Sequence, residues 1–345
     1  MEQGGQGRED HRQLRFARVS PSRCRLTRQA AAERDSDPTI LFESKRMKTK
    51  TGTKKGWAGK FDVAAIDIIV NLWTPEANRV RPKRDAFYQG KMKVKRETVE
   101  GISIAEMLRR MDMAGIERAF LAATKVGRLG HPACYHLPYA MVAKAVKQHP
   151  DRFHGLAGLD PWEGMKGVRE LEHAVKDLGF IGAHFYPHWF ELAPDHAKWY
   201  PFYAKCCELD IPVQFQVGQS MVYDPSYPVR SVGRPITLDA VACDFPELRL
   251  IGIHVGIPWT DEMIAMAWKH KNIYIGCDAH SPKYWPDSFK HYINSFGQDK
   301  VLFGTDFPIL DFERTRGEIE ALGFKPEVKR KLFRDNALRL YKLTE

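Results

Sequence analysis

From Phe61 onward, apolar runs of strand length alternate with longer stretches whose apolar residues recur at helical spacing. The runs predict strands at 64–72, 118–124, 153–159, 181–186, 212–217, 249–254, 273–278 and 301–305. Between them, "SIAEMLRRMDMAGI" places Ile104, Met107, Leu108 and Met111 on one helix face. "YAMVAKAVKQHP" does the same with Met141, Val142, Ala145 and Val146, and "GVRELEHAVKDLGF" with Val168, Leu171, Val175 and Leu178. "YPFYAKCCELDI", "PITLDAVACDFP", "DEMIAMAWKHKN", "DSFKHYINSFG" and "ERTRGEIEALGF" complete the set. Several close in Gly or Pro just before a strand, a normal stop signal. The terminal "PEVKRKLFRDNALRLYKL" predicts a helix or helix pair packed on the outside through Leu332, Phe333, Leu338 and Leu340. Eight βα units predict an α/β protein of the (β/α)8 TIM-barrel type. The alternative, a doubly wound open sheet, lacks a G-x-G-x-x-G after the first strand, and the count of eight favours closure.

Composition adjusts this picture at one end. A chain of 345 residues, 43% of them hydrophobic, can build a full core. No apolar run approaches the ~20 residues of a membrane span, and the first residues lack the apolar stretch of a secretory signal. Six cysteines without a C-x-x-C pair suit a reduced, cytoplasmic protein. The net charge of +10 hints at nucleic acid, but residues 1–60 hold 15 Lys/Arg against 7 Asp/Glu and so carry +8 of it. The rest is near neutral, which argues against a nucleic-acid-binding face. Residues 1–60 therefore read as a basic tail, disordered or loosely attached, and 61–345 as one domain. The tail has three readings: a targeting segment, an interaction arm, or upstream sequence with Met47 as the true start. The text after Met47 leads straight into the fold, which favours the third.

In a TIM barrel the chemistry sits at the C-terminal ends of the strands. The polar residues there are Asp67 and Asn71 on the first strand, His184 on the fourth with His188 beyond it, and Gln214 and Gln216 on the fifth. His254 follows on the sixth, Asp278 and His280 on the seventh, and Asp306 on the eighth. A lone His at a strand end is more often a hydrogen-bonded loop residue than a ligand. Several at one mouth with a carboxylate point to a site. Trp189, Trp199, Trp259 and Trp285 either build an apolar cleft or cover the rim.

"FGTDFP" on the eighth strand, "IGIHVG" on the sixth, "GFIGAHFYP" on the fourth and "PVQFQVG" on the fifth resemble the amidohydrolase-related family, over roughly residues 61–343. That family includes metal-dependent hydrolases and decarboxylases of aromatic and related acids. The resemblance implies a divalent metal held by an H-x-H on the first strand, a His on the fifth and an Asp on the eighth, with the sixth-strand His as acid/base or ligand. Only His254 and Asp306 carry over. The H-x-H falls on Ile69 and Asn71, and the fifth-strand His on Gln216. Ile cannot ligate, and neutral amide oxygens are weak ligands for Zn²⁺.

The expectation is therefore an amidohydrolase-related enzyme acting by hydrolysis or decarboxylation on a small carboxylate or cyclic substrate. His254 and Asp306 are its catalytic residues. His184, His254 and Asp306 form a rebuilt site for Zn, alternatively Fe or Mn. Asn71, Gln214, Gln216, His188 and His280 orient the substrate. A metal-free polar core, with His184 bonded to Gln216 or Asn71, competes with the rebuilt site. The expected assembly is a homo-oligomer, or a hetero-oligomer with a related barrel subunit. In the alternative reading of function, the chain is the metal-poor subunit of such a hetero-oligomer, for example a two-component oxygenase.

Overall fold

Strand β1 (Ala65–Asn71) is buried along its whole length, as a run of Ala, Ile and Val requires in a sheet covered on both faces. The computed structural model describes residues 60–344, so the reading of residues 1–59 as a tail lies outside the described residues. After β1 come β2 (Ile116–Ala123), β3 (Phe153–Gly158), β4 (Gly182–Phe185), β5 (Val213–Gln216), β6 (Leu250–Ile253), β7 (Ile273–Gly276) and β8 (Val301–Leu302). They pair in chain order, and every pairing is parallel. The ring closes through the segment after β8. Phe307 bridges to Val70, Asn71 N donates to Phe307 O at 2.9 Å, and Asp306 N donates to Ile69 O at 3.0 Å. The fold is a (β/α)8 barrel.

The eighth strand is shorter than the run 301–305 suggests. Beyond Leu302 the backbone leaves the β7 ladder. Phe303 N turns to Leu332 O at 3.0 Å, and Thr305 N turns to the Asp67 carboxylate at 3.1 Å. That carboxylate also accepts from the Thr305 hydroxyl at 2.6 Å and from Ile69 N at 3.2 Å. One buried acid thus ties the first strand to the last. Gly304 makes the approach possible, because a Cβ there would meet both Asp278 Cβ and Ile69 Cγ2 at 3.0 Å.

The helices that follow the strands are α1 (Ile104–Met113), α2 (Tyr139–Gln148), α3 (Met165–Lys176), α4 (Tyr200–Glu208), α5 (Leu238–Asp244), α6 (Thr260–Lys269), α7 (Asp287–Asn294) and α8 (Phe312–Glu320). Each buries the face that periodicity marks. Ser103 starts α1 by accepting from Glu106 N at 3.1 Å. Strand alternation splits the core into two layers. Ala119, Leu121, Val213 and Phe215 join the layer that includes the helix faces. Ile66, Ile68, Ile69, Phe120, Leu156, Ile251, Ile253 and Leu302 form the second, inside the barrel.

The chain ends in α9 (Pro326–Arg330), a π-helical turn, and α10 (Asn336–Tyr341). Here the expectation of outside packing is corrected. Leu338, Leu340 and Tyr341 belong to the barrel's inner layer, and Tyr341 packs edge-on against Phe120 at 4.7 Å. The helix plugs the end of the barrel opposite the mouth, because its apolar face has more surface to bury there. Among the described residues, no helix is long and apolar enough to cross a membrane.

Candidate active site at the barrel mouth

The backbone is forced into left-handed conformations where the strands reach the mouth. His254 (φ 72°) and Val255 (φ 60°) follow β6, Ala279 (φ 61°) follows β7, and Asp306 (φ 53°) follows β8. Such conformations cost about 1–3 kcal/mol each and gather at functional sites. For β-branched Val255 the conformation is a genuine outlier. Their effect is to turn His254 and Asp306 toward each other and toward Asp278.

His254 Nε2 lies 3.3 Å from Asp278 Oδ2 and 3.7 Å from Asp306 Oδ2. Asp278 holds its neighbour in place through Oδ1, which accepts from His254 N at 3.0 Å. Asp306 is held by Asn71, whose Nδ2 donates to Asp306 Oδ1 at 2.8 Å and to Phe307 O at 3.1 Å. His254 Nε2 and Asp278 Oδ2 are close but not aligned, so neither makes a hydrogen bond. Burial therefore dominates. It lowers the His254 imidazole to about 3 and raises the Asp278 carboxyl to about 6. Asp306 is raised well above the usual carboxylate range, first by burial and then by Asp278. Burial thus favours the neutral form of the imidazole and of both carboxyls.

The donor set fits a divalent cation in one respect. One imidazole nitrogen and two carboxylate oxygens lie within 4.8 Å of one another. Among the described residues, no Lys or Arg pairs with Asp278 or Asp306. Two buried acids with unspent lone pairs and no counter-cation match what a metal site offers. This trio includes His254 and Asp306 of the expected ligand set, with Asp278 as the third donor near them in place of His184. His184 is fully buried, does not line the cavity, and spends Nδ1 on Gln214 Oε1 at 3.1 Å. Burial lowers it to about 3.

Gln214 is corrected as well. Its Nε2 donates to Ile68 O at 2.7 Å and to the Tyr341 hydroxyl at 2.8 Å, so the whole amide is used inside the barrel, away from any substrate. The competing metal-free reading had His184 bonded to Gln216 or Asn71, but its partner is Gln214. Ile69, at an expected ligand position, is fully buried in the inner apolar layer.

The other expected residues meet in one cavity. Asn71, Gln216, His188, His254, His280 and Asp306 all line it, and its space, open rim included, is about 780 Å³. His188 sits on the short helix Pro187–Phe190, and its Nδ1 accepts from Val232 N at 3.1 Å. The proton is therefore on Nε2, which has no partner. The 219–233 loop folds tightly onto this ring, where a Cβ on Gly233 would meet His188 Cε1 at 2.8 Å. Burial lowers both His188 and His280 to about 4.

Sequence reasoning missed the opposite wall, made of Arg84, Phe87, Tyr88, Tyr135 and Tyr186. Phe87 and Tyr88 lie on the π-helical segment Ala86–Lys91, Tyr135 on a two-residue strand and Tyr186 just past β4, and the only signal was the density of aromatics. Of the four tryptophans singled out, Trp189 lines the cavity. Trp199 is fully buried, stacked on Phe185 at 4.7 Å.

Comparison with known proteins gives a consistent family. The Amidohydrolase family pattern matches residues 66–343. A gamma-resorcylate decarboxylase of a Polaromonas species is 25% identical over 247 residues, 59% of this chain and 74% of the relative. An uncharacterised TIM-barrel protein of Bordetella bronchiseptica superimposes with a TM-score of 0.66 at 26% identity, over 81% of this chain and 98% of its own. The 5-carboxyvanillate decarboxylase of Novosphingobium aromaticivorans, solved with manganese, superimposes at 0.62 with 18% identity, over 82% and 97%.

Proposed function

The chain belongs to the amidohydrolase family, and from that premise we propose an enzyme that cleaves or hydrolyses a small ring-bearing carboxylate at the barrel mouth, by decarboxylation in the first instance. The observation that carries this reading is His254 and Asp306 lining an aromatic-walled cavity, with Asp278 buried beside His254. Its decarboxylase relatives support the reaction class.

The residues divide the proton work. With no cation held there, Asp306, whose carboxyl burial raises, serves as proton donor and His254, whose imidazole burial lowers, as the acceptor 3.7 Å away; with a cation held, Asp306 is a carboxylate ligand. Asn71 fixes the Asp306 carboxyl through its amide donor. Asn71, Gln216, His188 and His280 offer orienting hydrogen bonds. His254, Asp278 and Asp306 are the residues that would hold a divalent cation, and such a cation supplies Lewis-acid polarisation of a substrate oxygen. Zn, Fe and Mn all suit one imidazole with two carboxylates, and manganese has a precedent in the Novosphingobium structure.

The experiment is a CO₂-release assay across hydroxylated benzoates, run with metal analysis of protein purified without chelator. The expected result is turnover of at least one acid, reduced at least ~100-fold by His254→Gln and by Asp306→Asn in variants that stay folded. Turnover unaffected by both changes, or none with any acid, overturns the reading.

A second reading is favoured by Ile69, Asn71 and Gln216 at the expected ligand positions. In it the chain is the metal-poor subunit of a hetero-oligomer with a related barrel. Activity that appears only on adding such a subunit would select it.

A further inference from the structure

Away from the mouth, α5 and α6 bring three donors of different chemistry together. Leu238, Val241 and Ala242 bury one face of α5. Asp239 and Cys243 lie one turn apart on the other face, so their side chains are neighbours. His270 follows the last residue of α6. One carboxylate oxygen, one thiol sulfur and one imidazole nitrogen then lie within 4.8 Å of one another. Both helices run back from the mouth, so the group sits toward the opposite end of the barrel, on its outer surface.

The backbone around the three is fixed. Asn272 Nδ2 donates to Phe245 O at 3.0 Å, just past the end of α5, and Lys300 Nζ donates to His270 O at 2.8 Å. The His270 side chain is only 10% exposed, whereas Cys243 is an exposed free thiol. His270 Nε2 and the Lys269 ammonium each meet Asp239 Oδ1 at 2.6 Å. The ammonium also feels the charge of Cys243. A cation therefore already stands among these donors, drawn by the carboxylate and by the negative C-terminal ends of two helices. It is held weakly, because the Lys269 side chain is 54% exposed and such pairs contribute about 0–1 kcal/mol.

We propose that Asp239, Cys243 and His270 form a second divalent-metal site, of the zinc class, with an open fourth position. Thiolate and imidazole favour Zn²⁺ and Co²⁺ over Mg²⁺ or Mn²⁺, and three protein ligands of tetrahedral type leave room for a water. On binding, the thiol gives up its proton to solvent, the imidazole binds in its neutral form, and Lys269 swings out into water. The ion staples α5 to α6, the helices on either side of β6. The site stands independently of the chemistry proposed for the mouth.

The test is titration of the reduced full chain, freed of metal, with Co²⁺. A thiolate ligand gives a sulfur-to-cobalt charge-transfer band in the near ultraviolet. The donors at the mouth include no thiol, so the band reads this site alone. The expected outcome is a band that saturates at about one equivalent and is displaced by Zn²⁺. Cys243→Ser abolishes it, His270→Gln and Asp239→Asn each weaken binding at least ~10-fold, and His254→Gln and Asp306→Asn leave it unchanged. Metal-free melting temperatures equal to the parent's show that the variants keep the fold. No band at millimolar Co²⁺, a band that survives Cys243→Ser, or a band indifferent to both His270→Gln and Asp239→Asn overturns the site.

Discussion

Asp67 shows how much one side chain decides here. It is fully buried and accepts from Thr305 twice and from Ile69 N, yet burial still raises it to about 8. Thr305 serves both sides, because its hydroxyl also accepts from Phe307 N at 3.1 Å. Thr305→Val keeps the shape and strips both hydroxyl bonds, leaving Asp67 Oδ2 and Phe307 N buried without partners while Asp67 Oδ1 keeps its two backbone donors. The expected loss is about 2–4 kcal/mol by denaturant unfolding, with Thr305→Ser losing less than half of that. A loss under 1 kcal/mol would show that water replaces the hydroxyl. At this scale the sequence was informative about which residues gather at the mouth and poor about what each one does. Asp278 was visible as a polar strand end, but its pairing with His254 depends on the left-handed turns at positions 254 and 306, which no residue type announces. Gln214 and Gln216 are alike on paper. Two residues along a tilted strand separate the barrel interior from its mouth, and depth cannot be read from alternation.

Among elements, the strands were the most legible, because buried parallel strands are short apolar runs bounded by Gly, Pro and polar turns. The helix faces followed from their periodicity. The destination of α10 did not, since an amphipathic stripe says that a face is buried without saying against what. The structure supplies the answer in Tyr341, which packs on Phe120 and accepts from Gln214 inside the barrel. Tyr341→Phe removes only the acceptor, and the expected cost is about 1 kcal/mol. Tyr341→Ala also leaves a cavity in the inner layer and should cost about 3–5 kcal/mol. Urea unfolding of the two variants separates these terms. Equal effects would mean that the helix end frays in solution and packs little. The mouth and its opposite end are linked here, because Gln214 joins Tyr341 to His184. Loss of the hydroxyl should therefore disturb the His184 imidazole resonances more than those of His188, which is held by the 219–233 loop.

For the whole molecule, buried titratable groups set the acid limit. His154, His188 and His280 are lowered to about 4, and His184 and His254 to about 3, all by burial first. In the unfolded chain each imidazole takes its proton near ~6.5. As pH falls from there toward 4, the unfolded state binds protons that the folded state refuses, so stability falls. Asp67, Asp278 and Asp306, all raised, act in the opposite sense over the same range, but they are outnumbered. The expected net effect is a melting temperature that declines steadily between pH 6.5 and 4.5, at about 1.4 kcal/mol per pH unit for each unmatched proton. A flat profile would show that the raised carboxyls cancel the imidazoles, against the expected excess of the imidazoles.

The closure of the barrel bears on how the chain is made. Asp67 meets Thr305 across 238 positions of sequence, so β1 emerges from the ribosome long before its second neighbour exists. Until then one side of the first stave is an open edge of unpaired backbone groups on a largely apolar strand, the kind that pairs with other nascent chains. Synthesis at ~5–20 residues per second keeps that edge exposed for tens of seconds. Yield in a heterologous host should therefore respond to co-expressed chaperones and to lower temperature more than the stability of the finished barrel would suggest.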